Sequence, residues 1–208
     1  MDLRKEQLGV GTLELSQREK DYVIQALDSN RLSYGPLSKK FESMFAALHD
    51  MKYAVFVNSG TSALSIALAT LKELHGWKDG DEVIVPSLTF VATVNVVLEH
   101  NLVPVFVDCD SQTYNMDASL IEEKITERTC CIMPVHLYGL IADMGPIMDI
   151  AHKHDLRVVE DSCETIGVNY NGQKTGSFGD ISCFSTYVAH FIVTGVGGLA
   201  LTNDPKKA

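Results

Sequence analysis

Nowhere in this chain do about 18 apolar residues follow one another, the length a membrane-crossing helix requires. Its opening residues, Met1-Asp2-Leu3-Arg4-Lys5-Glu6, lack the apolar centre of a secretory signal. Positive charge is scarce: 17 lysines and arginines stand against 27 aspartates and glutamates, a formal net charge of −10. Binding nucleic acid needs a basic face to neutralise phosphates, so the balance argues against that class of partner. The acidity by itself speaks of solubility and does not imply a cationic ligand. The five cysteines, Cys109, Cys130, Cys131, Cys163 and Cys183, include no Cys-x-x-Cys pair. Four of them lie in or beside apolar runs, which predicts reduced, buried thiols in a cytoplasmic protein. No internal repeat, no low-complexity segment, no Gly-x-Gly-x-x-Gly and no P-loop lysine motif occurs.

What is present is alternation. A length of 208 residues, 46% of them hydrophobic and 21% charged, suffices for one sizeable core with a small appendage. Apolar runs at 53–57, 82–86, 103–107, 130–135, 156–160 and 181–187 read as strands. Segments 61–74, 89–99, 117–125 and 144–154 read as the helices between them. Strands that are apolar throughout have both faces covered. The expectation is therefore an α/β fold with a mostly parallel sheet and helices on both faces. Residues 1–33 read as an N-terminal arm with a helix opening at Ser16, because Ser16-Gln17-Arg18-Glu19 is a capping-box pattern. Residues 37–48 read as a second helix with Leu37, Phe41, Phe45 and Leu48 on one face, and 34–208 as the main domain. Asn203-Asp204-Pro205 announces a further helix that the sequence does not reach, which predicts truncation.

The residues that carry chemistry fall at the carboxyl ends of strands, where open α/β sheets take their ligands. Asn58-Ser59-Gly60-Thr61-Ser62-Ala63 joins a strand to a helix. Small residues and free amides there suit an anion, or else form an ordinary turn capped by Ser59 or Thr61. Phe90 follows the next strand and is placed to stack on a flat heterocycle or to join the core. Asp161 closes a buried strand and needs a partner, either a helix cap, a cation or a protonated ring nitrogen. His136 and Tyr138 read as a polar pair lining the same crevice. His190, in Tyr187-Val188-Ala189-His190, precedes a glycine turn at Gly195-Val196-Gly197-Gly198. An anion cradle, a ring stacker, an acid and a hydroxyl on one sheet edge are what pyridoxal phosphate requires.

Here the sequence resembles a known family. Asn58-Ser59-Gly60-Thr61-Ser62-Ala63-Leu64, Val83-Ile84-Val85-Pro86-Ser87-Leu88-Thr89-Phe90, Pro104-Val105-Phe106-Val107-Asp108 and Pro134-Val135-His136-Leu137-Tyr138-Gly139 are similar to the DegT/StrS group of fold-type-I pyridoxal-phosphate enzymes. So are Glu160-Asp161, Gly176-Ser177-Phe178-Gly179-Asp180, Phe184-Ser185-Thr186-Tyr187 and Thr194-Gly195-Val196-Gly197-Gly198. The resemblance implies the fold-type-I large domain without its C-terminal small domain, and nucleotide-sugar aminotransferase or 3-dehydratase chemistry. It also implies pyridoxal or pyridoxamine 5'-phosphate as cofactor and a homodimer with the site between subunits.

Carried over by position, Gly60, Thr61 and Ser185 would hold the cofactor phosphate. Phe90 would stack on the ring, and Asp161 would pair with its nitrogen. His190 stands where the family's aminotransferases carry the lysine that binds the cofactor covalently. With Glu164 in place of their usual glutamine, it looks like the 3-dehydratases acting on nucleotide-activated 4-keto-6-deoxy sugars. His190 would be acid and base. A sugar aminotransferase and a non-catalytic pseudoenzyme fragment are the alternatives. Val196 departs from the acidic residue common between the glycines. Cys163 resembles an iron–sulfur ligand of the CDP-sugar type, but a single cysteine makes no metal site, and a buried thiol is the expectation.

No lysine lies between Lys174 and Lys206. Borohydride treatment followed by dialysis is therefore expected to leave no cofactor on this segment, and the His190→Lys variant is expected to retain it. A non-dialysable lysyl adduct mapped to the wild-type pocket contradicts this.

Overall fold

The computed structural model describes residues 14–208, so the first thirteen residues of the expected N-terminal arm lie outside the described residues. Helix α1 (Gln17–Asp28) forms where the capping box predicts. The Ser16 hydroxyl accepts the Glu19 amide at 3.3 Å, and the Glu19 carboxylate accepts the Ser16 amide at 2.6 Å. None of its residues is buried, so local signals account for it. Helix α2 (Pro36–Leu48) starts on a proline, whose fixed φ suits a first turn. It buries Phe45 and Ala46 against Phe184, Leu199 and Leu201, while Leu37 and Leu48 stay exposed, so the expected apolar face is narrower in fact.

The alternation follows as β1 (Tyr53–Val57), α3 (Gly60–His75), β2 (Glu82–Pro86), α4 (Val91–Glu99), β3 (Val103–Val107), β4 (Thr129–Ile132), α5 (Met144–Lys153) and β5 (Arg157–Asp161). A short hairpin of β6 (Asn169–Tyr170) and β7 (Gln173–Lys174) then precedes β8 (Ile181–Ser185) and β9 (Gly198–Thr202). The hairpin turns on Asn171-Gly172, with φ of 50° and 85°, the positive angles a two-residue turn demands. Seven strands form one sheet in the order β1-β9-β8-β5-β4-β2-β3. The pairs β3/β2, β2/β4, β4/β5 and β5/β8 are parallel, and β9 runs antiparallel to both β8 and β1.

Neighbouring residues of each strand feed opposite faces. Val83, Val85, Cys131, Val159 and Cys183 pack under α3 and α4 against Leu64, Ala67, Leu68, Leu71 and Val96. Ile84, Ile132 and Val158 pack on the other face with Met144, Ile147 and Ala151 of α5. That double burial is why the strands read as unbroken apolar runs. The architecture is the expected mostly parallel sheet with helices on both faces.

Local departures have physical causes. Segment 117–125 is not one helix but two 3-10 turns, Ala118–Leu120 and Glu122–Lys124. Asp117 caps the first by accepting the Ser119 amide, and Ile121 between them is drawn fully into the core. Strand β4 stops at Ile132. Beyond it Pro134 lacks an amide, and Val135 rejoins the sheet only through an isolated bridge to Asp161. Among the described residues, no helix is long and apolar enough to cross a membrane.

Leu68 is fully buried midway along α3, whereas Leu74 on the same helix is 46% exposed. Leu68→Ala is expected to lower the unfolding free energy by about 3 kcal/mol in urea titration and Leu74→Ala by less than ~1 kcal/mol. Equal losses would contradict this packing.

Candidate functional site

The chain runs from β2 outward to β3 and then back across β2 to β4, so the direction of winding reverses between β2 and β4. Open α/β sheets form their crevice at such a reversal, beyond the carboxyl ends of the strands. A cavity of about 420 Å³ lies there. Gly60, Thr61, Phe90, Asp161, Glu164, Ser185 and His190 all line it, so the structure brings these seven expected residues together, while His136 and Tyr138 are absent from the lining.

The cradle is built from two chain segments pressed together. Ser59 caps α3: its hydroxyl accepts the Ser62 amide at 3.0 Å, and its carbonyl accepts the Ala63 amide at 3.1 Å. The amides of Gly60 and Thr61 precede these in the first turn and have no carbonyl behind them in the helix. They point where a helix N-terminus favours negative charge. A Cβ on Gly60 would stand 2.8 Å from Ser185 Cβ and 2.9 Å from Cys163 Sγ. One on Gly198 would stand 2.4 Å from the Ser59 carbonyl oxygen, so β9 approaches the loop as only glycine allows. The Ser185 hydroxyl accepts the Tyr187 amide at 3.3 Å, which leaves its own proton to donate.

Asp161 lines the same cavity and is only 4% exposed. Its Oδ2 accepts the Thr93 hydroxyl at 2.8 Å and its Oδ1 accepts the Cys163 amide at 3.2 Å. Phe90 is the N-cap residue of α4 and is 70% exposed, so its ring is presented at the cavity and does not belong to the core. Burial, together with the neighbouring Asp161, pushes the Cys163 thiol well above its usual range. It stays protonated and is a wall of the site rather than a nucleophile. Among the described residues, no three histidines, cysteines, aspartates or glutamates gather as a metal ion would need.

His190 is half-buried on a turn in which its amide donates to the Tyr187 carbonyl at 2.9 Å. Desolvation lowers its pKa below the ordinary histidine value, and the carboxylates of Glu164 and Asp161 oppose that shift. Glu164 also accepts the amide of Tyr138 at 3.0 Å and so holds Tyr138 in a left-handed conformation, φ 55°.

One expectation is corrected. His136 does not line the crevice: it is fully buried behind it, with Nε2 3.2 Å from Glu160. Its Nδ1 accepts the Ala142 amide at 3.2 Å, which leaves the ring proton on Nε2. Tyr138 turns outward and is 72% exposed, and Leu137 takes the lining position. Sequence reasoning missed Thr89 and Thr93. Their signal was two hydroxyls four residues apart on either side of Phe90.

Free amides and a hydroxyl, an exposed aromatic ring and a held carboxylate, all lining one cavity, fit a phosphorylated pyridine. The profile of the DegT/DnrJ/EryC1/StrS aminotransferase family matches residues 14–208. The chain belongs to that family. It is 44% identical over 198 residues to the GDP-perosamine synthase of Caulobacter vibrioides, covering 95% of this chain and 52% of that protein. An aminotransferase structure from Psychrobacter cryohalolentis superposes with a TM-score of 0.89 at 37% identity, over 95% of this chain and 50% of that one. The Escherichia coli GDP-4-keto-6-deoxy-D-mannose-3-dehydratase, solved with bound hydrated pyridoxal phosphate, gives 0.89 at 32% identity, over 94% and 51%. The fold is thus that of the fold-type-I pyridoxal-phosphate aminotransferases. The chain spans about half the length of the curated relatives it matches.

The depressed His190 titration is observable by NMR of its ring protons. Its midpoint is expected below ~6.5. Glu164→Gln removes a carboxylate that favours the charged ring, so the midpoint is expected to move further down. An upward move in that variant would contradict this reading of the electrostatics.

Proposed function

We propose that this protein is a pyridoxal-phosphate-dependent enzyme acting on a nucleotide-activated 4-keto-6-deoxy sugar, and that it removes the C3 hydroxyl as water. The observation that supports this is the His190 imidazole sharing one cavity with Gly60, Phe90, Asp161 and Ser185, on a lining that holds no lysine. A lysine would tie the cofactor aldehyde covalently. A histidine cannot, yet it still exchanges a proton near neutral pH.

In this reading the Gly60 and Thr61 amides and the Ser185 hydroxyl hold the phosphate. Phe90 covers the ring, Asp161 faces its nitrogen, and Glu164 borders it beside His190. When bound as the amine, the cofactor supplies a nitrogen for the sugar's 4-keto carbon and a cationic ring that accepts electrons. His190, kept largely neutral by burial, takes a proton from the reacting carbon and delivers it to the departing C3 hydroxyl, so one C–H and one C–O bond break and water forms. Residues 34–208 are then the cofactor-binding domain and 1–33 an arm leading into it. The exposed rim of Phe90, Tyr138 and Phe191 faces a second copy in a cytoplasmic homodimer. The higher identity to the aminotransferase structure, 37% against 32%, favours a second reading in which an amino group is transferred to the same 4-keto carbon.

Incubation with pyridoxamine phosphate and a 4-keto-6-deoxy nucleotide sugar, read by mass spectrometry, decides between them. A 3-deoxy sugar lighter by one oxygen is expected, with the amine form of the cofactor consumed as the two-electron reductant and released as aldehyde and ammonia. An amino sugar would establish the second reading. Neither product would leave a non-catalytic protein. Asp161→Asn is expected to lower turnover by about 100-fold or more with an unchanged far-UV circular dichroism spectrum. Sedimentation as a monomer would contradict the homodimer.

A further inference from the structure

Asp161 is aimed by more than its own strand. Its two carboxylate oxygens are both engaged, Oδ2 by the Thr93 hydroxyl at 2.8 Å and Oδ1 by the Cys163 amide at 3.2 Å. Thr93 is fully buried in the first turn of α4, and its hydroxyl has a second neighbour, Thr89 Oγ1, at 2.7 Å. Thr89 in turn lines the cavity.

A hydroxyl carries one proton, and an ionised carboxylate only accepts. Thr93 therefore commits its proton to Asp161 and accepts one from Thr89. The chain of donors has one direction: from Thr89 Oγ1 to Thr93 Oγ1 to Asp161 Oδ2. Thr89 stands one residue before the N-cap of α4 and Thr93 in its first turn, and the 2.7 Å contact joins the two across the helix start. Phe90 lies between them in the chain, so one turn presents the exposed ring and the two hydroxyls together.

We propose that Thr93, backed by Thr89, is the positioning residue that orients Asp161 toward the ring nitrogen of the cofactor. This rests on the reading of the cavity as a pyridoxal-phosphate site. A carboxylate with a donor on each oxygen is fixed in one rotamer, so its remaining lone pairs keep one direction toward the ring nitrogen. Without the hydroxyl, the carboxylate keeps one donor and turns more freely, so its hydrogen bond to the protonated ring nitrogen is held less well. A threonine that served only to fill the core would leave the ring nitrogen unaffected when replaced by valine.

The experiment is 15N NMR of pyridoxal phosphate labelled at the ring nitrogen and bound to the protein, titrated with pH. Asp161→Asn is expected to move the resonance to the position of unprotonated pyridine. Thr93→Val is expected to move it part of the way, Thr93→Ser to restore it, and Thr89→Val to give a smaller shift in the same direction. A wild-type resonance in Thr93→Val, while Asp161→Asn still shifts it, overturns the proposal and leaves the cofactor site standing. No bound cofactor in the wild type, or no response to Asp161→Asn, overturns the site reading and the proposal with it. If Thr93→Val does not fold, the half-exposed Thr89→Val decides: an unchanged resonance there overturns the relay.

Discussion

Four hydrogen bonds converge on the carboxylate of Glu160, and the floor of the cavity depends on them. Oε1 accepts the amides of Phe178 and Gly179 at 2.8 and 2.7 Å, and Oε2 accepts the Gly176 amide at 2.9 Å and the His136 ring at 3.2 Å. The group is wholly removed from water, a placement tolerable only because its lone pairs are filled. Those four donors tie the end of β5 to the loop after β4 and to the loop before β8. Because successive strand residues face opposite ways, anchoring Glu160 behind the sheet turns Asp161 into the cavity. Adjacent carboxylates on one strand end thereby divide two tasks, one holding the frame and one meeting the ligand.

The reach of sequence reasoning follows from how local each signal is. The buried face of α3, with Leu64, Ala67, Leu68 and Leu71, was legible because helical spacing is written within one segment. The same holds for the capping box at Ser16 and for strands such as β2. Strand β9 was not: nothing within Gly198–Thr202 tells that it inserts antiparallel between β8 and β1. His136 was misplaced for a similar reason. Its environment is decided by Glu160, which arrives from another strand, and a histidine past a strand end reads the same whether it faces the crevice or the core. Gly60, Asp161 and His190 stood out because strand ends are where chemistry gathers. Thr93 did not, since a threonine on a helix is ordinary until the partner at position 161 is known.

On the proposed reading, in which His190 takes the position of the aminotransferases' lysine, the rest of the site has more to do. A covalent tether fixes a cofactor by itself. Without one, orientation rests wholly on non-covalent contacts distributed around the cavity. On that reading the amides of Gly60 and Thr61, the ring of Phe90 and the doubly bonded Asp161, which line one cavity, share the task of orienting the cofactor. The neutral form favoured at His190 suits the same arrangement, because a permanently charged base would add a cation beside a ring nitrogen that is itself to be charged.

The place of β9 has a consequence for the order in which the molecule is made. Strand β1 pairs only with β9 among the described strands, and the loop after β1 is closed by Gly198 at the start of β9. A nascent chain thus synthesises the loop after β1 well before the strand that closes it. Until then β1 has no sheet neighbour, and contacts of such long sequence separation are slow to form. Only a chain in which β9 has slotted between β1 and β8 holds the loop after β1 against Gly198, so the opening of α3 takes its final shape only when a segment about 140 residues further on has arrived.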